Sequence, residues 1–253
     1  MSIPAAFAEQ VAKFRREEES RSQSVARQIR AKSFYLPNLV PLEKSKYIFV
    51  TMEPSVGRWA RTEAEAAKML ARGFRNFLWS VEDFLFHYSI STYLDNSYYI
   101  TDISKLAMKV TDARTMRTDI YPLWEEHLFK EISLFGVKKV VVFFVGREVE
   151  TFLSSKLLQH DSFRIIHYSP IAASARRRLP DQYPDEYRTF VNKELPNKKK
   201  IVENAKRLLE ASGMDESLVT SIGDRIARSE NLLSDSRRRL LFSYFKSFEQ
   251  FRQ

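Results

Sequence analysis

Tyr47-Ile48-Phe49-Val50-Thr51-Met52-Glu53-Pro54-Ser55 decides the fold of this chain. Its first five residues are aromatic, apolar or β-branched with no polar alternation, which is the pattern of a strand buried on both faces. The run then breaks into a carboxylate, a rigid proline and a serine. In open α/β sheets, ligands bind where the carboxyl ends of strands deliver loops to a common crevice. Three more segments read as strands: Tyr98–Thr101, Lys139–Val145 and Phe163–His167. The spacing predicts helices over Glu63–Arg72, Asn76–Tyr93, Ile103–Met116, Tyr121–Phe135 and Arg147–Leu158. Thr62 and Glu65 form a capping box for the first of these. Strands separated by helices imply an α/β fold with parallel pairing and right-handed crossovers.

Outward from that core, residues 1–44 read as a helical extension. Phe7, Val11, Phe14, Val25 and Ile29 recur at roughly helical spacing, and Pro37 and Pro41 end the segment. Residues 45–180 form the expected α/β core. Residues 181–253 are helical and charged, with basic clusters at Lys198-Lys199-Lys200 and Arg237-Arg238-Arg239. Leu208, Leu209, Leu218, Ile222, Ile226, Leu240 and Leu241 supply apolar faces. This tail reads as a basic helical cap and not as an independent domain.

Composition narrows the function. The chain has 253 residues and no Cys, so neither a disulfide framework nor a thiolate metal site is available. Four scattered His suggest no helical zinc pair, and no metal or other cofactor is expected. Neither a G-x-x-x-x-G-K-[ST] loop nor a G-x-G-x-x-G loop occurs, which disfavours nucleotide-dependent chemistry. The start lacks a signal-peptide pattern, and the longest apolar run, Val140 to Val145, is too short to span a bilayer. The expectation is a soluble cytoplasmic monomer without a membrane partner. A formal net charge of +9 favours a polyanionic partner, of which nucleic acid is the commonest.

Three strand ends carry polar groups. Glu53, set before Pro54, has the chemistry to orient water or balance a cationic transition state; the bland alternative is a cap for the next helix. His167, in His167-Tyr168-Ser169-Pro170, can donate to an oxygen that gains negative charge; the alternative is a satisfied core histidine. Asp102, in Thr101-Asp102-Ile103-Ser104-Lys105, is either a pocket floor or the N-cap of the helix expected from Ile103. Downstream, Ala172-Ala173-Ser174-Ala175-Arg176-Arg177-Arg178 reads as a small-residue loop that approaches a phosphate backbone, with the arginines neutralising it.

Together these motifs resemble the uracil-DNA glycosylase superfamily, over about residues 45–180. Glu53-Pro54, Thr101-Asp102 with Lys105, and His167-Tyr168-Ser169-Pro170 follow in the family's order, and Val140–Gly146 resembles its third strand with a glycine exit. The resemblance implies a three-layer α/β/α fold with a four-stranded parallel sheet. It implies base flipping and hydrolysis of an N-glycosidic bond in DNA. It places Glu53 at the attacking water and His167 at the pyrimidine O2, with Asp102 reading the base edge. Phe74 or Phe77 would stack on the flipped base beside Pro54, and Ser169 with Arg176, Arg177 and Arg178 would hold DNA.

The departures from the family carry information. Glu53 is one methylene longer than Asp, and Tyr168 replaces a proline. Asp102 replaces the base-reading Asn. Ionised Asp only accepts hydrogen bonds, so it suits an exocyclic amine better than a carbonyl at position 4. The expected substrate is therefore a modified cytosine, as in defence against phage DNA, rather than plain uracil. The alternatives are a uracil or mismatch repair glycosylase, and a catalytically inactive module of the same fold that binds DNA or a modified base.

Overall fold

The computed structural model describes residues 5–29, 31–57, 59–168 and 172–251. A four-stranded parallel sheet forms its centre: β2 (Ser45–Thr51) lies between β3 (Tyr98–Asp102) and β5 (Gly136–Val145), with β6 (Ser162–Ile165) outside β5. The expected α/β class and parallel sheet are thus both present. Register sets Thr51 beside Asp102 and Val50 beside Phe144. Ile48, Phe49 and Val50 are fully buried, which explains their unbroken apolar run. On one face Phe49 stacks on Phe143 at 4.7 Å between ring centroids. Ile48, Val50, Val142 and Phe144 share a core with Trp124 and Leu128.

By contacts the chain divides into two compact units, residues 1–76 with 97–164 and residues 77–96 with 165–253. The first unit holds the N-terminal helix α1 (Ala5–Gln28), the β1 strand (Ser33–Tyr35), α2 (Glu63–Ala71), β4 (Leu106–Met108), α4 (Val110–Phe135) and α5 (Arg147–Leu153). α1 buries Val11, Phe14 and Val25, as its periodicity predicts. Phe14 stacks on His127 of α4 at 4.4 Å. The capping box of α2 is present as expected, with Glu65 N donating to Thr62 Oγ1 at 3.2 Å.

Several expected boundaries move. Ile103–Met116 is not a helix: Leu106–Met108 is a strand, paired antiparallel with Ser33–Tyr35. Every residue from Ile103 to Met108 is buried, so the segment has no polar face for a surface helix to present. α4 then runs unbroken from Val110 through Pro122 to Phe135. An interior proline costs a helix about 3 kcal/mol. Here Ile120, Tyr121, Trp124, Leu128 and Ile132 are buried from both sides of Pro122, and that packing outweighs the lost hydrogen bond. The helix expected from Asn76 starts only at Val81, where Ser80 and Asp83 make a capping box. The one expected to reach Leu158 stops at Leu153, and the strand expected to reach His167 stops at Ile165.

The second unit contains α3 (Val81–Tyr93), α6 (Ala173–Gln182), α7 (Pro184–Thr189), α8 (Lys198–Glu210), α9 (Glu216–Ala227) and α10 (Asp235–Ser247). α3 is buried nearly all round, which makes it the centre of this unit. It packs against α8 and α10. Aromatic rings fill the space between elements: Phe86 lies 5.0 Å from Tyr244, and Phe190 lies 5.4 Å from Phe242. The Arg225 guanidinium covers the Trp79 ring at 3.9 Å. Among the described residues, no helix is long and apolar enough to cross a membrane.

Candidate active site

Glu53 lies two residues beyond β2, and its loop is tied down by backbone hydrogen bonds. Ile103 N and Ser104 N donate to Met52 O at 3.0 and 3.2 Å. Met108 N donates to Pro54 O, and Val56 N donates to Met108 O at 3.0 Å. Pro54 is buried. No helix begins at Glu53, so the capping alternative is removed. The carboxylate is instead held by α4. Arg117 donates from Nε to Oε2 at 3.1 Å and from Nη2 to Oε1 at 2.7 Å. Tyr121 donates its hydroxyl to Oε2 at 2.5 Å. Only 7% of the Glu53 side chain is exposed. Burial raises the pKa of the Tyr121 phenol, and the charge and hydrogen bond of Glu53 raise it further, so Tyr121 stays a neutral donor.

Asp102 is the last residue of β3 and is 1% exposed. It does not cap a helix, because the chain continues into β4. Its Oδ1 accepts from the Thr51 hydroxyl on the neighbouring strand, and its Oδ2 accepts from Asn76 Nδ2 at 2.6 Å. Burial pushes this carboxyl up to about 7, against the Lys105 charge and the two hydrogen bonds, with the negative charge of Glu53 adding to the rise. Asp102 is therefore turned into the protein, in contrast to the exposed pocket floor that its place at a strand end predicts.

Beneath Asp102 lies a buried polar network. The Lys105 ammonium contacts Glu131 Oε2 at 2.7 Å, donates to Thr101 Oγ1 at 2.6 Å, and donates to the Asp102 carbonyl. It thus makes two hydrogen bonds and one ion pair. Lys105 and Glu131 side chains are both fully buried. Tyr99 donates to Glu131 Oε1 at 2.6 Å. Asn38 joins Thr101 to Arg15: its Nδ2 donates to Thr101 Oγ1 at 3.1 Å, and its backbone carbonyl accepts from Arg15 Nη2 at 2.7 Å. Arg15 also pairs with buried Glu18, which accepts from Tyr35 at 2.6 Å. Burial alone would raise the Glu18 pKa, but the Arg15 charge, the His127 ring 3.5 Å away and the bond from Tyr35 bring it down to about 2.

The histidine motif belongs to the second unit. His167 and Tyr168 are half-buried, and their rings stack at 4.6 Å. Tyr168 approaches Phe86 of α3 at 6.0 Å. Ser169 lies outside the described residues. The basic run is not a loop but part of α6. Helical geometry separates its three arginines. Arg176 is buried and donates from Nη1 to the His167 carbonyl at 2.5 Å, so it supports the histidine turn from inside. Arg177 and Arg178 are exposed, and Arg239 donates to the Arg177 carbonyl at 3.1 Å.

Phe74 and Phe77 are both buried, at 1% and 5% exposure. Phe74 packs on Trp59 at 5.1 Å. Phe77 has a φ of 61°, an uncommon state for a bulky residue. Neither ring lies open to a base as the chain stands.

The structure thus brings Glu53, Pro54 and Asp102 together within the first unit. It places His167 and the three arginines in the second. Sequence reasoning missed Arg117, Tyr121, Thr51 and Asn76. Arg117 and Tyr121 stand four residues apart on one helix face, a spacing that would pair them. The sequence reading ends one helix at Met116 and begins the next at Tyr121, which leaves Arg117 between elements and hides this pairing. Chemically, a carboxylate held by three donors is a fixed negative charge beside a carboxyl that titrates near neutrality. Such a pair suits stabilising a cation and orienting water. Comparison with protein-family models, with curated proteins and with solved structures finds no match to this chain.

Proposed function

We propose that the chain is a monofunctional DNA glycosylase that hydrolyses the N-glycosidic bond of a flipped pyrimidine. The observation that carries this reading is the clamped Glu53 carboxylate at the end of the central parallel strand, with Asp102 on the strand beside it. Cleavage of that bond leaves positive charge on the sugar and negative charge on the departing base. Glu53 would stabilise the sugar cation and align the attacking water. Its acceptor sites are largely taken by Arg117 and Tyr121, so it acts by charge and position more than by removing a proton. His167 would donate to the pyrimidine O2. Arg177 and Arg178, exposed on α6, would contact the phosphate backbone.

For the base, we propose a modified cytosine over plain uracil. An ionised Asp102 accepts from an exocyclic amine, and to do so it must exchange its bond from Asn76 for one from the base. A second reading has one specific support. A Glu–Arg pair is also what a purely architectural carboxylate makes, and that favours an inactive DNA-binding module of the same fold as the second reading.

The test is direct. The protein is incubated with duplexes carrying uracil, 5-hydroxymethylcytosine or glucosylated 5-hydroxymethylcytosine, and abasic sites are read as alkali-labile breaks. Breaks that vanish with Glu53→Gln support the glycosylase. Duplex binding without breaks in any substrate rejects it in favour of the binding module.

A further inference from the structure

We infer that Arg117 and Tyr121 are positioning residues for the reaction, acting only through Glu53; this rests on the glycosylase reading. Three features of the first unit point to them. The Glu53 backbone is pinned on both sides, by the bonds to Met52 O and Pro54 O. Its carboxylate is then fixed by a planar guanidinium fork and a phenol from consecutive turns of α4. Finally, α4 itself is anchored in the core one turn and more beyond, through Trp124, Leu128 and the Glu131 ion pair. The side chain consequently has no free rotamer to explore.

Simple stabilisation does not require this arrangement. A bidentate Arg fork fixes orientation as well as charge, which Lys cannot do. Burial opposes the charge on Arg117, and the hydrogen bonds and charge of Glu53 more than offset it, raising its pKa. Arg117 therefore stays a cation that holds Glu53 and does not exchange protons with it. Tyr121 is locked in turn by packing on Phe152 of α5 at 5.3 Å. A carboxylate preorganised in this way aims its charge before substrate arrives, and loss of about 1 Å of registration is enough to cost roughly 100-fold in rate.

Single-turnover excision, KM and thermal unfolding are measured for Arg117→Gln, Arg117→Lys and Tyr121→Phe, each alone and combined with Glu53→Gln. Alone, Arg117→Gln is expected to lower the rate about 100-fold with KM nearly unchanged, and Tyr121→Phe about 10-fold. Arg117→Lys is expected to recover part of the loss, since it keeps the charge without the fork. In the Glu53→Gln background none of the three should lower the residual rate further. Full additivity in that background, or a raised KM with an intact rate, overturns the inference and leaves the glycosylase reading standing. If Arg117→Gln does not fold, Arg117→Lys and Tyr121→Phe complete the same cycle. If folded wild type releases no base from any duplex, the glycosylase reading falls, and this inference falls with it.

Discussion

Arg117 Nη2 lies 2.7 Å from Glu53 Oε1 across 64 residues of sequence, joining the middle of a 26-residue helix to the loop after the central strand. That contact turns a strand-end carboxylate into an oriented one. The expected consequences run outward from it.

Glu53→Gln keeps the shape of the side chain and removes its charge. Base excision should fall by about two orders of magnitude or more, while duplex binding is retained. His167→Ala should lower excision by about 100-fold, again with binding retained, because its proposed partner is the base oxygen. Near-wild-type turnover by folded Glu53→Gln would remove Glu53 from the mechanism.

Asp102 should make stability depend on pH. Its folded pKa of about 7 lies above the ordinary 3.8, so the folded state binds its proton more tightly. This stabilisation is complete below about pH 4 and is lost as pH rises through 7. At about 1.4 kcal/mol per unit, the rise from 3.8 to about 7 corresponds to at most about 4 kcal/mol. Glu18 acts oppositely and in a lower window, since its stabilisation is present above 4.5 and is lost as pH falls towards about 2. Urea unfolding of wild type and Asp102→Asn between pH 4 and 8 separates the two. Wild type should lose stability over that range relative to the variant, and parallel curves would refute the assignment.

On the proposed glycosylase reading, Asp102 would also set the base preference. Wild type should excise a modified cytosine and leave uracil nearly untouched. Asp102→Asn supplies a donor for a carbonyl at position 4 and should shift the preference towards uracil. Mismatched buried hydrogen-bonding groups cost about 1–3 kcal/mol, so competition between the two duplexes in one reaction should show the shift. Efficient uracil excision by wild type would defeat the cytosine proposal alone.

Lys105 and Glu131 form an internal ion pair without solvent access. Lys105→Met should cost about 3–5 kcal/mol, because it strands the Glu131 charge. Adding Glu131→Leu should recover much of that loss, which chemical denaturation will report. A single variant as stable as wild type would mean that the pair contributes nothing.

The arginines of α6 should separate by measurement. Arg177→Ala with Arg178→Ala should lower the salt dependence of duplex binding by about one to two in slope, at about 0.9 per phosphate contact. Arg176→Ala should instead destabilise the fold by about 1–3 kcal/mol, because the half-buried His167 carbonyl loses its donor and a buried side chain is removed. An unchanged salt slope in the double variant would move the DNA contacts elsewhere, for instance to Lys198-Lys199-Lys200.

Sequence alone determined the elements whose signal is local. The apolar runs at 47–51, 98–101 and 139–145 are strands because both faces of each are covered, and a buried face removes alternation. The cap at Thr62 and the apolar stripe of α1 depend on neighbours three and four residues away, and both were legible. The placing of Glu53 and Asp102 at strand ends followed from the same reading, whereas the pairing of their two strands came from the structure.

Only the tertiary structure decided what those carboxyls face. Leu106–Met108 is a strand because Ser33–Tyr35, more than 70 residues earlier, supplies its partner. Arg117 reaches Glu53 because packing around Trp124 and Leu128 carries α4 straight through Pro122, against the preference of the proline itself. Arg176 turns inward although its neighbours point to solvent, since helix rotation and the His167 carbonyl select one of three identical side chains. In each case the deciding interaction joins residues far apart in the chain, and its strength comes from burial that no local window of sequence contains.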